Sequence, residues 1–203
     1  MQHLSDIILT QMVDSPQQQR SEMRVRRALE AAVRLLREGG PEACSIPEVA
    51  KAAAVPRAAI YRYFPDRPAL LAAMAAASMG QLDAAIRQVL DSRRDVSPEG
   101  LIESAVAETV RFFNGDPVAS MLQFNGPFGA ADRETHHRQC RLLIETMLPR
   151  LPAEISEETL ALAIEVILAC LRYGYFRDGH VSDVIAKEAL RAGNAFLGLG
   201  GAR

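Results

Sequence analysis

Residues Ser45–Leu71 read SIPEVAKAAAVPRAAIYRYFPDRPALL, and this stretch decides the fold. Ser45 is followed three residues later by Glu48, which is the spacing of a capping box at the start of a helix. Pro56 can begin a second helix, because the φ angle of proline is already helical. The stretch therefore predicts two short helices joined by a tight turn, with a longer helix following them.

The second of these helices, predicted over Pro56–Phe64, has two different sides. Ile60 and Phe64 lie four residues apart and form an apolar back. The opposite side carries Arg57, Tyr61, Arg62 and Tyr63. Arginine and tyrosine donate hydrogen bonds to phosphate oxygens, and arginine also reads guanine edges in the major groove. The pattern favours a helix-turn-helix that binds duplex DNA; the alternative is a helical hairpin whose charged face is merely solvated.

From about Arg24 to Leu71 the chain resembles the DNA-binding domain of the TetR family of bacterial transcriptional regulators. The resemblance rests on an apolar first helix ending at Gly39-Gly40, the segment IPEVAKAA, the run IYRYF at Ile60–Phe64, and the residues Arg67 and Leu70-Leu71. It implies an all-helical fold that binds operator DNA. The candidate DNA-contacting residues are then Ser45, Arg57, Ala58, Ala59, Tyr61, Arg62, Tyr63 and Arg67. Arg67 is implied to meet a phosphate, where the dipole of the next helix adds to its charge.

The turn departs from the family pattern. Ala54 stands where the family usually has glycine, and Pro56 stands where it usually has serine. A left-handed conformation would cost alanine roughly 1 kcal/mol relative to glycine. We therefore expect the turn either to close differently or to absorb that strain. Ala58 also stands where the family commonly has glycine. Its methyl group affects how closely the backbone at this position can approach a phosphate.

Composition and pattern predict an all-α protein of two domains. Hydrophobic residues make up 49% and charged residues 24% of the 203-residue chain, which are values typical of a folded globular protein. No alternating pattern typical of a strand persists. We predict a flexible N-terminal arm over 1–20 and a three-helix helix-turn-helix DNA-binding domain over 21–67. A helical domain for ligand binding and dimerisation is predicted over 68–203.

The charge is unevenly distributed along the chain. Residues 20–72 hold ten basic and six acidic side chains, a net +4, so that the remainder carries −6 of the chain's total of −2. A basic module joined to an acidic body is typical of a nucleic-acid-binding protein whose other domain does not touch DNA.

In the arm, an apolar face at Leu4, Ile7, Ile8 and Met12 is interrupted by Gln17–Gln19. The alternative to a mobile arm is a segment that packs on the body or follows the DNA backbone.

Further helices are predicted over about 22–38, 66–90, 97–114, 118–124, 130–148, from 156 onward, and 183–197.

The last two predicted helices suit a homodimer. The one that starts near Ser156 is apolar on nearly all sides, and the last one carries small residues such as Gly193 along its apolar stripe. A helix that is apolar on most sides needs burial on most sides. We therefore predict a homodimer formed by these two helices, as the TetR resemblance also implies; the alternative is that both complete the core of a monomer.

A ligand pocket is predicted in the body of the protein. Aromatic residues and methionine gather near helix breaks, where cavities form between helices. The candidate pocket residues are Phe112, Met121, Phe124, Phe128, Tyr173 and Phe176. The TetR resemblance implies an inducer pocket in the same region, and the alternative is ordinary core.

Other kinds of site find little support in the sequence. His136 and Cys140 have a helical i, i+4 spacing that suits two metal ligands, but two ligands do not complete a metal site. The motifs of serine hydrolases, phosphate-binding loops and zinc proteases do not occur, so we predict neither an enzyme nor a cofactor. Three cysteines without CxxC spacing indicate no disulfide framework. The run Ala69–Met79 is too short to span a bilayer, and we expect a cytoplasmic protein without a membrane partner.

Together these predictions describe a homodimeric transcriptional repressor that binds double-stranded operator DNA and is released by a small apolar effector. Its two helix-turn-helix units would read half-sites ~34–36 Å apart. The alternative is a helical small-molecule carrier or enzyme that keeps the helix-turn-helix as scaffold. A metal sensor using His136 and Cys140 is a third possibility.

Overall fold

Every regular element is helical within residues 16–93, 96–126 and 140–199, which are the residues that the computed structural model describes, with side chains from residue 22 onward. The helices are α1 (Pro16–Ala43), α2 (Ile46–Ala53), α3 (Arg57–Tyr61), α4 (Arg67–Asp91), α5 (Pro98–Gly115), α6 (Pro117–Asn125), α7 (140–147), α8 (Glu157–Asp178) and α9 (Asp183–Phe196). A short 3₁₀ turn, Leu148–Arg150, follows α7. The all-α fold class predicted from the sequence is confirmed.

Helix α1 begins earlier than the sequence suggested. Its backbone is helical from Pro16, whereas the prediction placed residues up to 20 in an arm and read the glutamine run as a break. Glutamine is a good helix former, so the run continues the helix instead. The helix breaks at Gly40, whose φ of 71° and ψ of −172° suit only glycine. The apolar face at Leu4–Met12 lies outside the described residues.

The described residues divide into two units, and the division falls inside α4, after Ser78. The amino-terminal unit holds α1–α3, the start of α4, and α6. Its core is a single cluster that includes Leu29, Leu36, Val49, Ile60, Phe64, Leu70, Leu71, Met74, Val118 and Leu122. The unit therefore takes in α6 and residues 68–78, which lie beyond the predicted boundary at residue 67.

The carboxy-terminal unit holds the rest of α4, α5 and α7–α9. Helices α8 and α9 pack closely where small residues face large ones. A Cβ built on Gly174 would lie 3.0 Å from Ile185 Cγ2. The Asn114 side chain holds the α8–α9 turn, donating to the Val181 carbonyl at 2.8 Å and accepting from the Val181 N–H at 2.9 Å. The side chains of α8 and α9 therefore have defined positions on their inner faces.

Among the described helices, α4 and α8 are long and apolar enough by composition to cross a membrane. The mean hydropathy of the most apolar 18-residue window is 1.4 in α4 and 1.5 in α8. The run Ala69–Met79, which by itself is too short to span a bilayer, lies inside α4. In α4, 50% of that window is buried inside the protein, and in α8 33%. Core helices of helical proteins have this composition, because their apolar faces pack on one another.

Candidate functional site

The first helix of the helix-turn-helix is capped as predicted. The Ser45 hydroxyl accepts a hydrogen bond from the Glu48 N–H at 3.3 Å. Ser45 has extended backbone angles and α2 starts at the next residue, as expected of an N-cap. The inward face of α2 is buried at Ile46, Val49, Ala50 and Ala53. Ser45 thus has a structural role at the start of α2, and a DNA contact at this residue stays a prediction.

The turn after α2 closes with alanine in a conformation that favours glycine. Ala54 has φ 52° and ψ 47°, and it is the one described non-glycine residue with a positive φ. Its N–H donates to the Lys51 carbonyl at 3.2 Å, and the Val55 N–H donates to the Ala50 carbonyl at 3.0 Å. Of the two outcomes expected from the sequence, the turn therefore absorbs the strain rather than closing differently.

Helix α3 is shorter than predicted. Pro56 is not its first residue but its N-cap, with ψ 136°, and α3 runs only from Arg57 to Tyr61. The Phe64 N–H still donates to the Ile60 carbonyl at 2.9 Å. Pro65 accounts for the loss of the last residue of the predicted helix, because Phe64, the residue before this proline, is sterically disfavoured in helical conformation.

The outer surface of α3 carries the basic and aromatic groups expected from the sequence. Arg57, Ala58, Tyr61 and Arg62 are exposed, and Tyr61 keeps 47% of its surface accessible. Ala59 and Tyr63 are half-buried, while Ile60 and Phe64 are buried behind them. We name the exposed side chains of Arg57, Tyr61 and Arg62 the α3 face.

Two arginines of the α3 face differ in their surroundings. The Arg62 guanidinium lies 5.8 Å from the centre of the Tyr63 ring, which restricts its orientation. Arg57 makes no hydrogen bond or ion pair with the residues that the structure describes. Its guanidinium donors therefore remain available to an acceptor on a partner.

Arg67, predicted to meet a phosphate, pairs with a carboxylate inside its own unit. Its Nη1 lies 2.8 Å from Glu42 Oε2, and its Nη2 lies 3.2 Å from Glu42 Oε1. The hydrogen bond from Arg67 lowers the pKa of Glu42, and the same bond raises the pKa of Arg67. Nη1 also donates to the Pro41 carbonyl at 3.4 Å. Arg67 therefore ties the start of α4 to the α1–α2 connection, a role that sequence reasoning missed.

Asp66 and Cys44 are two neighbours of Arg67 at the start of α4. Asp66 caps the helix, its Oδ1 accepting from the Ala69 N–H at 2.7 Å. Cys44 is fully buried, and burial raises the pKa of its thiol to about 11. The thiol is thus neutral at physiological pH and serves as a core residue.

A cavity of about 40 Å³ lies in the carboxy-terminal unit. Its wall is formed by α4, α5, α7, α8 and Leu197. The lining residues are Met79, Leu82, Ile86, Ile102, Ala105, Val106, Thr109, Leu143, Met147, Leu160, Ala163, Ile164, Ile167, Leu168 and Leu197. Thr109 supplies the one side-chain hydroxyl of that wall, and it donates to the Ala105 carbonyl at 2.7 Å. None of the lining residues is charged.

Of the six candidate pocket residues, the five that the structure describes do not line this cavity. Tyr173 and Phe176 have 59% and 61% of their surface exposed. Met121 packs against the core of the amino-terminal unit, where Phe124 is buried in α6. Phe112 is half-buried on α5, and Phe128 lies outside the described residues. A better signal was the inward stripe of α8, where aliphatic residues recur at helical spacing from Leu160 to Ile167.

The metal ligands considered from the sequence are not brought together in the described part of the chain. His136 lies outside it. Cys140 Sγ lies 3.5 Å from Glu165 Oε1. Among the described residues no group of three or more histidine, cysteine, aspartate or glutamate side chains is arranged to hold a metal ion.

The sequence of the amino-terminal unit matches a known family. Residues 28–74 match the bacterial regulatory proteins of the tetR family. This segment contains most of α1, the whole helix-turn-helix and the start of α4. No curated protein matches the sequence closely.

Solved structures share the fold over most of the chain. A TetR-family transcriptional regulator from Streptomyces coelicolor is similar with a TM-score of 0.70 and 24% identity, over 86% of this chain and 98% of that one. The TetR-family repressor FadR from Thermus thermophilus, solved with lauroyl-CoA, has a TM-score of 0.67 and 20% identity, over 87% and 95% of the two chains. FadR from Bacillus halodurans, a fatty acid degradation regulator, has a TM-score of 0.64 and 17% identity, over 87% and 98%. Residues 28–74 are thus similar to the tetR-family regulatory proteins, and the chain shares its fold with solved TetR-family transcriptional regulators.

Proposed function

We propose that the protein is a homodimeric repressor that an apolar effector releases from operator DNA in the cytoplasm. The observation that carries the proposal is the α3 face, where two arginines and a tyrosine are exposed on a short helix with a buried back. Side chains of this kind make both phosphate and base-edge contacts in the major groove. The predicted DNA-contacting residues Ala58, Ala59 and Tyr63 flank this face, with Ser45 and Arg67 at the starts of α2 and α4.

Homodimerisation is supported by apolar side chains that remain exposed on α8 and α9. Leu162, Tyr173 and Phe176 lie on one side of α8 at helical spacing, and each is about half exposed or more. Val184 and Phe196 are likewise exposed on α9. Exposed apolar patches of this kind mark protein interfaces. A second copy of the same two helices would cover them in a symmetric four-helix interface.

The effector site is supported by the apolar cavity. Its lining offers hydrocarbon side chains, and the Thr109 hydroxyl is already bonded within its own helix. A charged group placed there would lose its hydration without gaining a partner, at a cost of several kcal/mol. The effector therefore inserts a neutral, apolar portion into the cavity and keeps any charged portion outside it.

An acyl chain is the effector portion that we propose first. The similar FadR proteins from Thermus thermophilus and Bacillus subtilis were solved with lauroyl-CoA and stearoyl-CoA. A cavity of about 40 Å³ is far smaller than the ~150 Å³ apolar cavity that admits benzene. The side chains around it must therefore move apart when a chain enters, and that movement supplies a means of coupling effector binding to DNA release.

The proposal is tested by an electrophoretic mobility shift with the DNA upstream of the protein's own gene. We expect a salt-sensitive shift that lauroyl-CoA abolishes and that free coenzyme A leaves intact. The variant Leu160→Glu places a charge in the cavity wall and should bind DNA without responding to lauroyl-CoA. A shift that persists in lauroyl-CoA would contradict an acyl effector. No shift under any condition would favour the carrier or enzyme alternative.

A further inference from the structure

Gly193 of α9 lies against a residue of the cavity wall without being part of that wall. Gly193 is buried, and a Cβ built on it would lie 2.6 Å from Ile167 Cδ1 and 2.8 Å from Ile167 Cγ1. Ile167, on α8, lines the cavity. The end of the Ile167 side chain therefore occupies the space that any side chain at position 193 would need.

The cavity is the open space next to Ile167. Protein interiors are otherwise close-packed, so a displaced side chain moves toward whatever void lies beside it. A methyl group at position 193 would push Ile167 Cδ1 away from α9, and the adjoining void of about 40 Å³, which Ile167 lines, would receive it. The absence of a side chain at Gly193 thus holds part of the cavity open.

We propose that Gly193 determines, through Ile167, the size of the apolar group that the cavity admits. Gly193 is in this sense a positioning residue, since it acts on the cavity through another side chain. The inference rests on the proposed function in treating the cavity as the effector site. It goes beyond that proposal because it assigns effector size to a glycine that touches no effector.

A second glycine in the same helix pair provides a matched control. Gly174 of α8 is also buried, and a Cβ there would lie 3.0 Å from Ile185 Cγ2. Ile185 is not among the residues that line the cavity. Gly174→Ala therefore disturbs the packing of α8 on α9 without moving a residue of the cavity wall.

Xenon is a suitable probe, because it enters apolar cavities whatever the natural effector is. The measurement is NMR of the methyl groups of Ile102, Ile164 and Met147 in the full-length protein, titrated with dissolved xenon. We expect saturable shifts in the wild type and in Gly174→Ala. In Gly193→Ala the xenon affinity should fall roughly tenfold or more, the effect of one methyl group in an apolar pocket.

A rescue variant separates displacement of Ile167 from general damage to the fold. Ile167→Ala deletes both Cδ1 and Cγ1, the two atoms nearest to the added methyl, so the double variant Gly193→Ala/Ile167→Ala should recover most of the lost xenon affinity. Ile167→Ala alone should bind xenon more tightly than the wild type, a result that remains informative if Gly193→Ala does not fold.

The outcomes distinguish this inference from the proposed function. Equal xenon affinity in the wild type and Gly193→Ala would overturn the inference, as would equal losses in Gly193→Ala and Gly174→Ala, or a wild type that takes up no xenon. If the xenon results are as expected but lauroyl-CoA does not release DNA, the effector proposal fails and the role of Gly193 stands.

Discussion

Replacing Ala54 by glycine should stabilise the protein, although the substitution removes a methyl group from the turn of the helix-turn-helix. Ala54 has φ 52°, and a left-handed conformation costs an L-residue about 1–2 kcal/mol. Glycine removes that cost but adds about 0.4–1 kcal/mol of backbone entropy to the unfolded chain. Ala54 is exposed, so its methyl group contributes little packing. The net expectation for Ala54→Gly is a stabilisation of about 0.5–1 kcal/mol.

Ala52 is the matched control, since it is an exposed alanine two residues earlier in the same segment. Ala52 lies within helix α2, where glycine costs about 0.5–1 kcal/mol relative to alanine. The two alanine-to-glycine substitutions therefore have opposite expected signs. The difference between the variants should be about 1–2 kcal/mol.

The assay is urea unfolding followed by circular dichroism at one fixed protein concentration, because the stability of the proposed dimer would depend on concentration. Hydrogen exchange adds a local measurement at Val55, whose N–H donates to the Ala50 carbonyl across the turn. Exchange at Val55 should slow in Ala54→Gly and quicken in Ala52→Gly. If Ala54→Gly lowered stability as much as Ala52→Gly, the strain assigned to the turn would be wrong.

Three further predictions concern single side chains. If Arg67 binds a phosphate, Arg67→Ala should lower by about 1 the slope of log K for DNA binding against log salt concentration. The control Glu42→Gln should preserve that slope. An unchanged slope in Arg67→Ala would leave the ion pair with Glu42 as the role of Arg67. Cys44 should resist alkylation by iodoacetamide at pH 8 in the folded protein and react in urea, because its thiol is buried and has a pKa of about 11. Mass spectrometry measures the labelling, and rapid labelling of the folded protein would contradict the buried position of Cys44. Tyr173→Glu should raise the dimer dissociation constant at least tenfold in analytical ultracentrifugation by putting a charge into the proposed interface; an unchanged constant would place the interface elsewhere.

The helix-turn-helix was predictable because its signals are local. The Ser45 cap, the Asp66 cap and the buried pair Ile60 and Phe64 depend on residues only a few positions apart, and the structure contains all of them. The short α3 was predictable in principle as well, since Pro65 disfavours helical backbone at Phe64. The aromatic run Tyr61–Phe64 suggests a helix that continues through Phe64, but the proline that follows disfavours it.

The cavity could not be predicted in the same way. Its wall combines Leu197 with residues from four helices that are far apart in sequence. Periodicity shows which face of a helix is buried but not which helix it meets. Tyr173 and Phe176 have the aromatic chemistry expected of a pocket. Their spacing from Leu162, however, places all three residues on the same, exposed side of α8. The pairing of Arg67 with Glu42 was equally hidden, because it joins residues on either side of the helix-turn-helix.

The central claim is that the α3 face reads the operator, and a comparison of two duplexes tests it most directly. Fluorescence anisotropy would measure the affinity of the protein for its own upstream DNA and for a scrambled duplex of equal length at physiological salt. We predict that the wild type binds the upstream duplex at least ~10³-fold more tightly than the scrambled one. Arg57→Ala and Arg62→Ala should each lose most of this preference. The control Arg141→Ala should keep it, since the exposed side chain of Arg141 lies on α7. Equal affinity for both duplexes, or a preference that survives both α3 substitutions, would contradict the claim.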